Sequence, residues 1–294
     1  MKNKEIVVIS GKGGTGKTSV TASLAFLAGN EAVIADCDVD AADMHLLLMP
    51  DLAHSEEFFS GQTASINNAL CTNCGLCQSI CRFKAISNSN DNYVINKIDC
   101  EGCGYCARIC PSGAIKMEDS HTGSLHISNS RMNNTLVHAE LQIAAENSGK
   151  LVTKVRQEAK RIAKETNTEY IIIDGSPGIG CPVVASITGT SFVVIVTEPT
   201  VSGYHDLSRI SELVKKFNIK MGCVINKSDL NTQLTYQIKE FLISNNIELL
   251  TELPYDNVFT KAITAGKTVV EYATKSVIES NLAKCWDKIK IGVQ

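Results

Sequence analysis

Short apolar runs alternate along much of the chain with longer segments in which apolar residues recur every three or four positions. The short runs are typical of buried parallel strands, and the longer segments are typical of amphipathic helices. The pattern predicts strands over residues 5–10, 32–37, 170–174, 192–197, 221–226 and 247–253, and helices over residues 19–28, 151–165, 204–217 and 232–244. Such alternation indicates an α/β fold with a doubly wound, mostly parallel sheet, whose binding residues lie on the loops after the strands.

The alternation stops between residues 67 and 118, where polar turns and cysteines replace the apolar runs. This stretch contains an internal repeat, since CTNCGLCQSICRFKAI at 71–86 realigns on CEGCGYCARICPSGAI at 100–115. Duplication of this kind is typical of a module with two similar halves. We therefore expect residues 67–118 to be an insert, and residues 1–66 and 119–294 to form one discontinuous domain.

Two further segments have weaker patterns. Within residues 119–149, the sequence predicts a hairpin around 124–130 and a short helix near 137–145. Residues 277–294 predict an amphipathic helix that carries acids among few lysines. Because membrane-binding terminal helices are basic, this composition favours docking of the helix onto its own domain.

Composition and charge narrow the class of protein. The 294 residues carry a net charge of −3 with acids and bases interspersed, so the basic surface typical of nucleic-acid binding is absent. No apolar run is long enough to span a bilayer, and the first one is a predicted strand, not a signal peptide. We therefore expect a soluble, cytoplasmic protein without nucleic-acid or membrane partners, in which the twelve cysteines stay reduced.

Eight of the cysteines form two runs with the same spacing, C-x2-C-x2-C-x3-C. In bacterial ferredoxins this spacing binds two [4Fe–4S] clusters, and the fourth cysteine of each run serves the other cluster. The ligands assigned to the first cluster are Cys71, Cys74, Cys77 and Cys110, and those assigned to the second are Cys81, Cys100, Cys103 and Cys106. The insert is therefore expected to be a bacterial-type ferredoxin α+β module.

A pair of zinc sites is the alternative interpretation of these cysteines. Zinc sites are typically built from paired C-x2-C units, a spacing that the two runs do not follow. One position departs from the ferredoxin pattern, because Arg82 follows the first run where Pro111 follows the second. That position is not a ligand, so the departure affects a turn and not the content of a cluster.

The segment GKGGTGKT, residues 11–18, fits the phosphate-binding pattern G-x-x-x-x-G-K-[ST] between a predicted strand and a predicted helix. Its glycines let backbone N–H groups surround phosphates, while Lys17 reaches the β- and γ-phosphates and Thr18 binds Mg²⁺. The residues assigned to ATP binding in this segment are Gly11, Lys12, Gly13, Gly14, Thr15, Gly16, Lys17, Thr18 and Ser19.

The additional lysine in this loop, Lys12, makes it resemble the deviant Walker A motif of the MinD/ParA/Mrp ATPases, a family that includes the nitrogenase iron protein. Asp36-Cys37-Asp38 is similar to switch I of that family, and DGSPGIG at 174–180 is similar to its Walker B and switch II segments. VINK at 224–227 and LPYD at 253–256 resemble its adenine-binding strand ends. The chain as a whole resembles MinD-superfamily ATPases that contain an inserted ferredoxin domain.

The resemblance implies roles for these residues. Lys12 would reach the γ-phosphate of a partner protomer, and Asp38 would position the attacking water. The implied catalytic residues are Lys12, Lys17, Asp38 and Asp174, and the implied Mg²⁺ ligands are Thr18, Asp36, Asp38 and Asp174. Asn226 and Pro254 would contact adenine. Hydrolysis would need a homodimer, or a heterodimer with a similar ATPase, with ATP at the interface.

A cysteine also occurs near the switch II segment. Cys181 lies seven residues after Asp174, where the nitrogenase iron protein has a ligand of its dimer-bridging cluster. That protein uses a second such cysteine, and residues 119–169 contain none. We therefore expect no bridging cluster at Cys181.

Three functions fit these motifs. The leading one is a cytoplasmic ATPase whose dimer cycle is coupled to electron transfer through two [4Fe–4S] clusters to a redox partner. An Mrp-like protein that assembles iron–sulfur clusters or carries them to an apo-acceptor is the second. A MinD- or ParA-like positioning ATPase with a redox sensor is the third.

Overall fold

The structure is a computed structural model that describes residues 3–39, 43–90, 92–142 and 148–294. Its strands are β1 (Lys4–Ser10), β2 (Ala32–Asp36), β3 (Asp51–Ile66), β4 (Ile86–Ser89), β5 (Asn92–Ile95), β6 (Ile115–Asn129), β7 (Thr135–Leu141), β8 (Tyr170–Asp174), β9 (Phe192–Thr197), β10 (Lys220–Ile225) and β11 (Glu248–Glu252). Its helices are α1 (Lys17–Ala28), α2 (Met44–Leu48), α3 (Leu76–Ile80), α4 (Tyr105–Ile109), α5 (Ser148–Glu165), α6 (Cys181–Ile187), α7 (Val201–Lys216), α8 (Thr232–Ser244), α9 (Val258–Thr264), α10 (Val269–Tyr272) and α11 (Val277–Gly292).

Nine strands form one sheet in the order β11-β10-β9-β1-β8-β2-β7-β6-β3. The strand β1 pairs in parallel with β8 on one side and with β9 on the other, and β2 pairs in parallel with β8. These strands are buried along nearly their whole length, which is why they read as continuous apolar runs. The predicted α/β fold with a mostly parallel sheet is confirmed.

Parallel pairing brings the ends of distant strands together. Asp174 of β8 lies between Val8 of β1 on one side and Asp36 of β2 on the other. Ser10 of β1 lies opposite Val196 of β9. The segments that follow β1, β2, β8 and β9 therefore meet at one edge of the sheet. That edge is where sequence analysis placed the nucleotide.

One face of the central strands and the helices that cover it bury a large apolar core. Helix α11 contributes Ile278, Leu282, Cys285, Trp286 and Ile289 to this core, and the Trp286 ring packs edge-on against Tyr170 at 5.1 Å. The predicted docking of the terminal helix onto its own domain is thus confirmed. No helix in the described part of the chain is long and apolar enough to span a membrane.

The predictions for residues 119–149 are correct in part. Residues 124–129 belong to the long strand β6, which pairs with its neighbour β7 after the turn at residues 130–134, so a hairpin is present but turns later than expected. Residues 135–141 form β7 where a helix was expected, which is wrong. Residues 143–145 of that expected helix lie outside the described part of the chain. The strand β3 was also missed, because its first seven residues are exposed and carry no apolar pattern.

The chain divides into two compact units. One comprises Met1–Glu56, Leu125–Glu140 and Ser148–Gln294, and the other comprises Glu57–Ser124 and Leu141–Asn147. The strands β3 and β6 each contribute residues to both units. The boundaries that we drew around residues 67–118 stay a prediction.

The second unit repeats its local structure as the cysteine spacing does. Helix α3 begins after Gly75 and helix α4 after Gly104, and both glycines have positive φ angles, 77° and 69°. Residues with side chains rarely adopt this conformation, so glycine permits the tight turn at the same point of each repeat. The hairpin of β4 and β5 packs Ile86 and Tyr93 into a small core with the neighbouring cysteines.

Candidate functional site

The loop of residues 11–16 connects β1 to α1 at the edge of the sheet. Gly14 and Gly16 have positive φ angles of 78° and 90°, so the chain can turn tightly into the helix. A Cβ atom on Gly16 would collide with the side-chain amide of Asn226. The loop thus has the strand–turn–helix context that phosphate binding requires, with Ser19 in the first turn of α1.

Lys17 lies among buried carboxylates. Its Nζ is 2.8 Å from Oδ2 of Asp174 and 3.2 Å from Oδ2 of Asp38. Burial opposes the charge on Lys17, but the carboxylates of Asp174 and Asp38 outweigh burial and raise its pKa. The ammonium group is therefore a fixed positive charge at the mouth of the loop.

Two hydroxyl groups of α1 bind the same carboxylate. Thr18 donates to Oδ2 of Asp174 at 2.8 Å, and Thr21, one helical turn later, donates to Oδ1 at 2.6 Å. Sequence analysis identified Thr18 but not Thr21. The helical period could have identified Thr21, because it places this residue on the face of α1 that carries Lys17 and Thr18.

One carboxylate oxygen of Asp36 can accept a further hydrogen bond. Its Oδ1 accepts from the backbone N–H of Asp38 at 3.1 Å, whereas its buried Oδ2 has no hydrogen-bond partner among the described residues. Burial, together with the charge of Asp174, raises the pKa of Asp36 well above its usual value. An orphaned carboxylate oxygen on the residue opposite Asp174 in the sheet fits a hydrated Mg²⁺ ion, which binds oxygen ligands directly or through water.

The other loop lysine, Lys12, contacts residues that follow β9. Its Nζ is 2.7 Å from Oε1 of Glu198 and 3.0 Å from the hydroxyl of Ser202. The second carboxylate oxygen of Glu198 accepts from Lys227 at 2.8 Å. Sequence analysis identified neither Glu198 nor Lys227 as a site residue, although each follows the end of a central strand.

Asn226 and Lys227 hold the phosphate loop from the end of β10. Asn226 donates from Nδ2 to the backbone carbonyl of Thr15 at 2.8 Å, and Lys227 donates to that of Gly14 at 3.1 Å. The Asn226 amide is therefore engaged with the loop, and its contact with adenine stays a prediction. Pro254 follows β11, next to Leu253, whose N–H donates to Ile225 at the end of β10.

The eight cysteines of the two runs line two cavities in the second unit. The larger, of about 420 Å³, is lined by Cys81, Cys100, Cys103 and Cys106. The smaller, of about 20 Å³, is lined by Cys71, Cys74, Cys77 and Cys110. Each cavity therefore receives three cysteines from one run and the fourth from the other, which is the grouping assigned from the spacing.

The third cysteine of each run is the most enclosed. Cys77 and Cys106 are buried, and burial raises the pKa of both thiols.

In the residues that the structure describes, no three cysteine, histidine or carboxylate side chains converge closely enough to bind a single metal ion. The smaller cavity has room for about one water molecule, so a cluster there requires its four thiols to spread.

The remaining cysteines lie apart from these cavities. Cys37, Cys223 and Cys285 are buried, as expected for core residues, and burial raises the pKa of the Cys285 thiol to about 12. Cys181 is exposed at the first position of α6.

Comparison with known proteins places this site in a family. Residues 6–269 match the family model described as the CobQ/CobB/MinD/ParA nucleotide binding domain. Two uncharacterized proteins of Methanocaldococcus jannaschii, MJ0578 and MJ0579, are 33% and 27% identical to this chain over 288 and 277 residues. These alignments cover 97% and 91% of this chain and 96% and 91% of the two relatives.

Solved structures share the fold. The septum site-determining protein MinD of Pyrococcus horikoshii, in complex with Mg-ADP, has a TM-score of 0.59 and 18% identity, and the alignment covers 98% of this chain and 96% of that one. The family match spans β1, the phosphate loop and the carboxylates around Lys17. The chain therefore belongs to the CobQ/CobB/MinD/ParA family of nucleotide-binding P-loop ATPases.

Proposed function

We propose that this ATPase holds two [4Fe–4S] clusters and that an ATP-dependent dimer cycle is coupled to electron transfer through them. The observation that carries the proposal is the partition of eight cysteines into two groups of four, each lining one cavity. Neither group is a single run of sequence. Each combines three cysteines of one run with the fourth of the other, as two-cluster ferredoxins do.

The first cluster would be held by Cys71, Cys74, Cys77 and Cys110, and the second by Cys81, Cys100, Cys103 and Cys106. When bound, such clusters accept and donate single electrons at potentials set by charge, hydrogen bonds to sulfur and solvent exposure. The surroundings of the two groups differ. Ser112 lies 3.6 Å from the sulfur of Cys110, while Arg82 and Phe83 line the cavity of the second group.

The geometry around the phosphate loop supports a separate role for each residue of the nucleotide site. Lys17 would bind the β- and γ-phosphates, and Thr18 would bind Mg²⁺ directly. Asp36 and Asp174 would hold water molecules around the ion, and Asp38 would position the attacking water. Lys12 would cross to the ATP of a second protomer, where its charge would stabilise the transition state as an arginine finger does.

The path of the chain supports coupling between the two activities. Residues 36–38, beside Lys17, are followed by α2 and then by β3, which enters the second unit. The chain returns to the first unit within β6, enters the second unit again after Glu140 and re-enters the first unit at the start of α5. In α5, Arg156 donates to the backbone carbonyls of Ala185 and Thr188 at the end of α6, the helix that follows residues 174–180. Two of the four connections between the units thus lead, along the chain, to residues 36–38 and to the helix that contacts α6.

The test is ATPase turnover of the anaerobically purified protein with its clusters oxidised and then reduced. We expect the two rates to differ severalfold, because the redox state would shift the equilibrium of the dimer cycle. Asp38→Asn, which should bind ATP without hydrolysing it, sets the background. Equal rates in the two redox states would contradict the coupling. Net transfer of iron and sulfide to an apo-protein would favour the cluster-carrier alternative instead.

A further inference from the structure

The ammonium group of Lys12 contacts residues of its own chain. Its Nζ lies 2.7 Å from Oε1 of Glu198, 3.0 Å from Oγ of Ser202 and 3.4 Å from Oγ1 of Thr200. All three partners belong to the segment that joins β9 to α7 in the same protomer. Because β9 pairs directly with β1, this segment emerges next to the phosphate loop. The lysine is therefore held within its own chain.

Glu198 is a strong partner for this lysine. It is buried, with 8% of its surface exposed, and each of its carboxylate oxygens accepts from a different lysine, Lys12 or Lys227. Burial opposes ionisation, but the hydrogen bonds from Lys12 and Lys227 outweigh burial and lower the pKa of Glu198. The carboxylate is thus charged at neutral pH and points toward the loop.

We propose that Glu198 holds Lys12 in an autoinhibitory contact within one protomer and that pairing of two ATP-bound protomers has to break this contact. The inference rests on the proposed ATP-dependent dimer and adds a residue that regulates it. A lysine bound to Glu198 cannot reach a phosphate on another chain. The contact therefore lowers the fraction of protomers that are competent to pair.

The second lysine makes this contact reversible. Lys227 lies 2.8 Å from the other carboxylate oxygen of Glu198, so the buried carboxylate would keep one cation after Lys12 leaves. Lys227 also donates to the carbonyl of Gly14 and keeps Glu198 aligned with the loop. The side chain of Lys12 is one-third exposed, so its release requires no opening of the core. Glu198 can thus release Lys12 and bind it again at each turnover.

The size of the effect follows from the number of contacts broken. An ion pair with one partly exposed partner contributes roughly a factor of three to an equilibrium, and each dimer requires release of two lysines. We therefore expect Glu198→Gln to raise the dimer association constant roughly tenfold, since a neutral amide binds Lys12 more weakly. Ser202→Ala, which removes a weaker contact of the same lysine, should raise it roughly twofold.

The experiment is sedimentation equilibrium of the full-length protein with a non-hydrolysable ATP analogue, at several protein concentrations. The experiment compares the wild type with Glu198→Gln, Ser202→Ala and Lys227→Met. Binding of a fluorescent ATP analogue to dilute protein shows whether the phosphate loop of each variant still binds nucleotide. The proposal expects tighter dimers for the first two variants and no tightening for Lys227→Met. Ser202→Ala keeps the proposal testable should Glu198→Gln fold poorly.

The possible outcomes distinguish a failure of the proposed dimer cycle from a failure of the proposed autoinhibitory contact. A wild-type chain that binds the analogue but stays monomeric at all concentrations would contradict the proposed dimer cycle itself. Wild-type dimers together with unchanged or weaker association of Glu198→Gln and Ser202→Ala would overturn the autoinhibitory contact alone. Tightening by Lys227→Met equal to that of Glu198→Gln would also overturn it, because the effect would then come from the loop and not from Lys12.

Discussion

Lys17 Nζ lies 2.8 Å from Oδ2 of Asp174, although one residue begins the helix after β1 and the other ends β8. Both side chains are almost fully buried, and Asp38 approaches the same ammonium group. The parallel pairing of β1 with β8 creates this contact. The charged residues that are assigned to the nucleotide site therefore neutralise one another within the chain.

Replacing Lys17 with methionine should destabilise the nucleotide-free protein. Removing one partner of a buried ion pair leaves uncompensated charge and costs about 3 kcal/mol. Urea unfolding without Mg²⁺ measures this loss, and added Mg²⁺ should restore part of it. Lys4→Met is the matched control, because Lys4 and Glu169 form an exposed pair worth less than about 1 kcal/mol. Equal losses for the two variants would contradict the account.

Arg156 should be far more important for stability than its neighbour Arg161 in the same helix. Arg156 is buried, binds Glu5 at 2.6 Å and donates to two carbonyls at the end of α6. Arg156→Met should cost about 3–5 kcal/mol of unfolding free energy, measured by urea unfolding. Arg161 pairs with Glu165 at the surface, where solvent screens the charges, so Arg161→Met should leave the unfolding free energy nearly unchanged. A small effect of Arg156→Met would show that α5 does not anchor α6.

Much of the fold could be predicted, for a physical reason. Strands such as 170–174 and 192–197 are buried on both faces, so their apolar runs mark them directly. The strand β3 could not be found this way, because most of its residues are exposed. Where burial does not constrain the side chains, the period of the sequence carries little information.

The residues of the candidate site also fall into those that the sequence predicts and those that it does not. Lys17, Thr18 and Asp174 belong to recognisable motifs at strand ends, so their convergence could be predicted. Glu198 is a single charged residue in an ordinary loop, and Lys227 ends the VINK segment, whose resemblance implies no role for a lysine. The contacts of Glu198 with Lys12 and Lys227 depend on β9 lying beside β1 and β10 beside β9, an order that the sequence does not contain.

Removing one cysteine should remove one cluster. Cys110 belongs to the second run but lines the cavity of the first group. Cys110→Ala should therefore lower iron from roughly eight to roughly four atoms per chain after anaerobic purification, as measured by iron and sulfide analysis. Cys181→Ala is the control and should leave the iron content unchanged, since Cys181 lines neither cavity. Equal iron in both variants would contradict the assignment.

Stability should fall in mildly acid solution because of His138. Burial, with the neighbouring His126 and His45, lowers the pKa of His138 to about 4. An unfolded histidine binds a proton near pH 6.5, so between pH 6.5 and 4 the unfolded state carries a proton that the folded state does not. From this residue the unfolding free energy should drop by up to about 1.4 kcal/mol per pH unit below pH 6.5.

His138→Gln is the matched variant for this prediction. Glutamine does not titrate, yet it can keep a hydrogen bond to Ser128, which lies 3.0 Å from Nε2 of His138. Unfolding free energies at pH 5 and pH 7.5 should differ less for the variant than for the wild type. An identical pH dependence would show that His138 is not the titrating group.

The central claim is that the nucleotide changes the properties of the clusters. The most direct test is the midpoint potential of each cluster, from an anaerobic redox titration followed by electron paramagnetic resonance, with ADP and with a non-hydrolysable ATP analogue. The account predicts that the ATP analogue shifts at least one potential in the wild type and leaves both unchanged in Lys12→Ala, which should not form the dimer. Identical potentials with ADP and with the ATP analogue would contradict it.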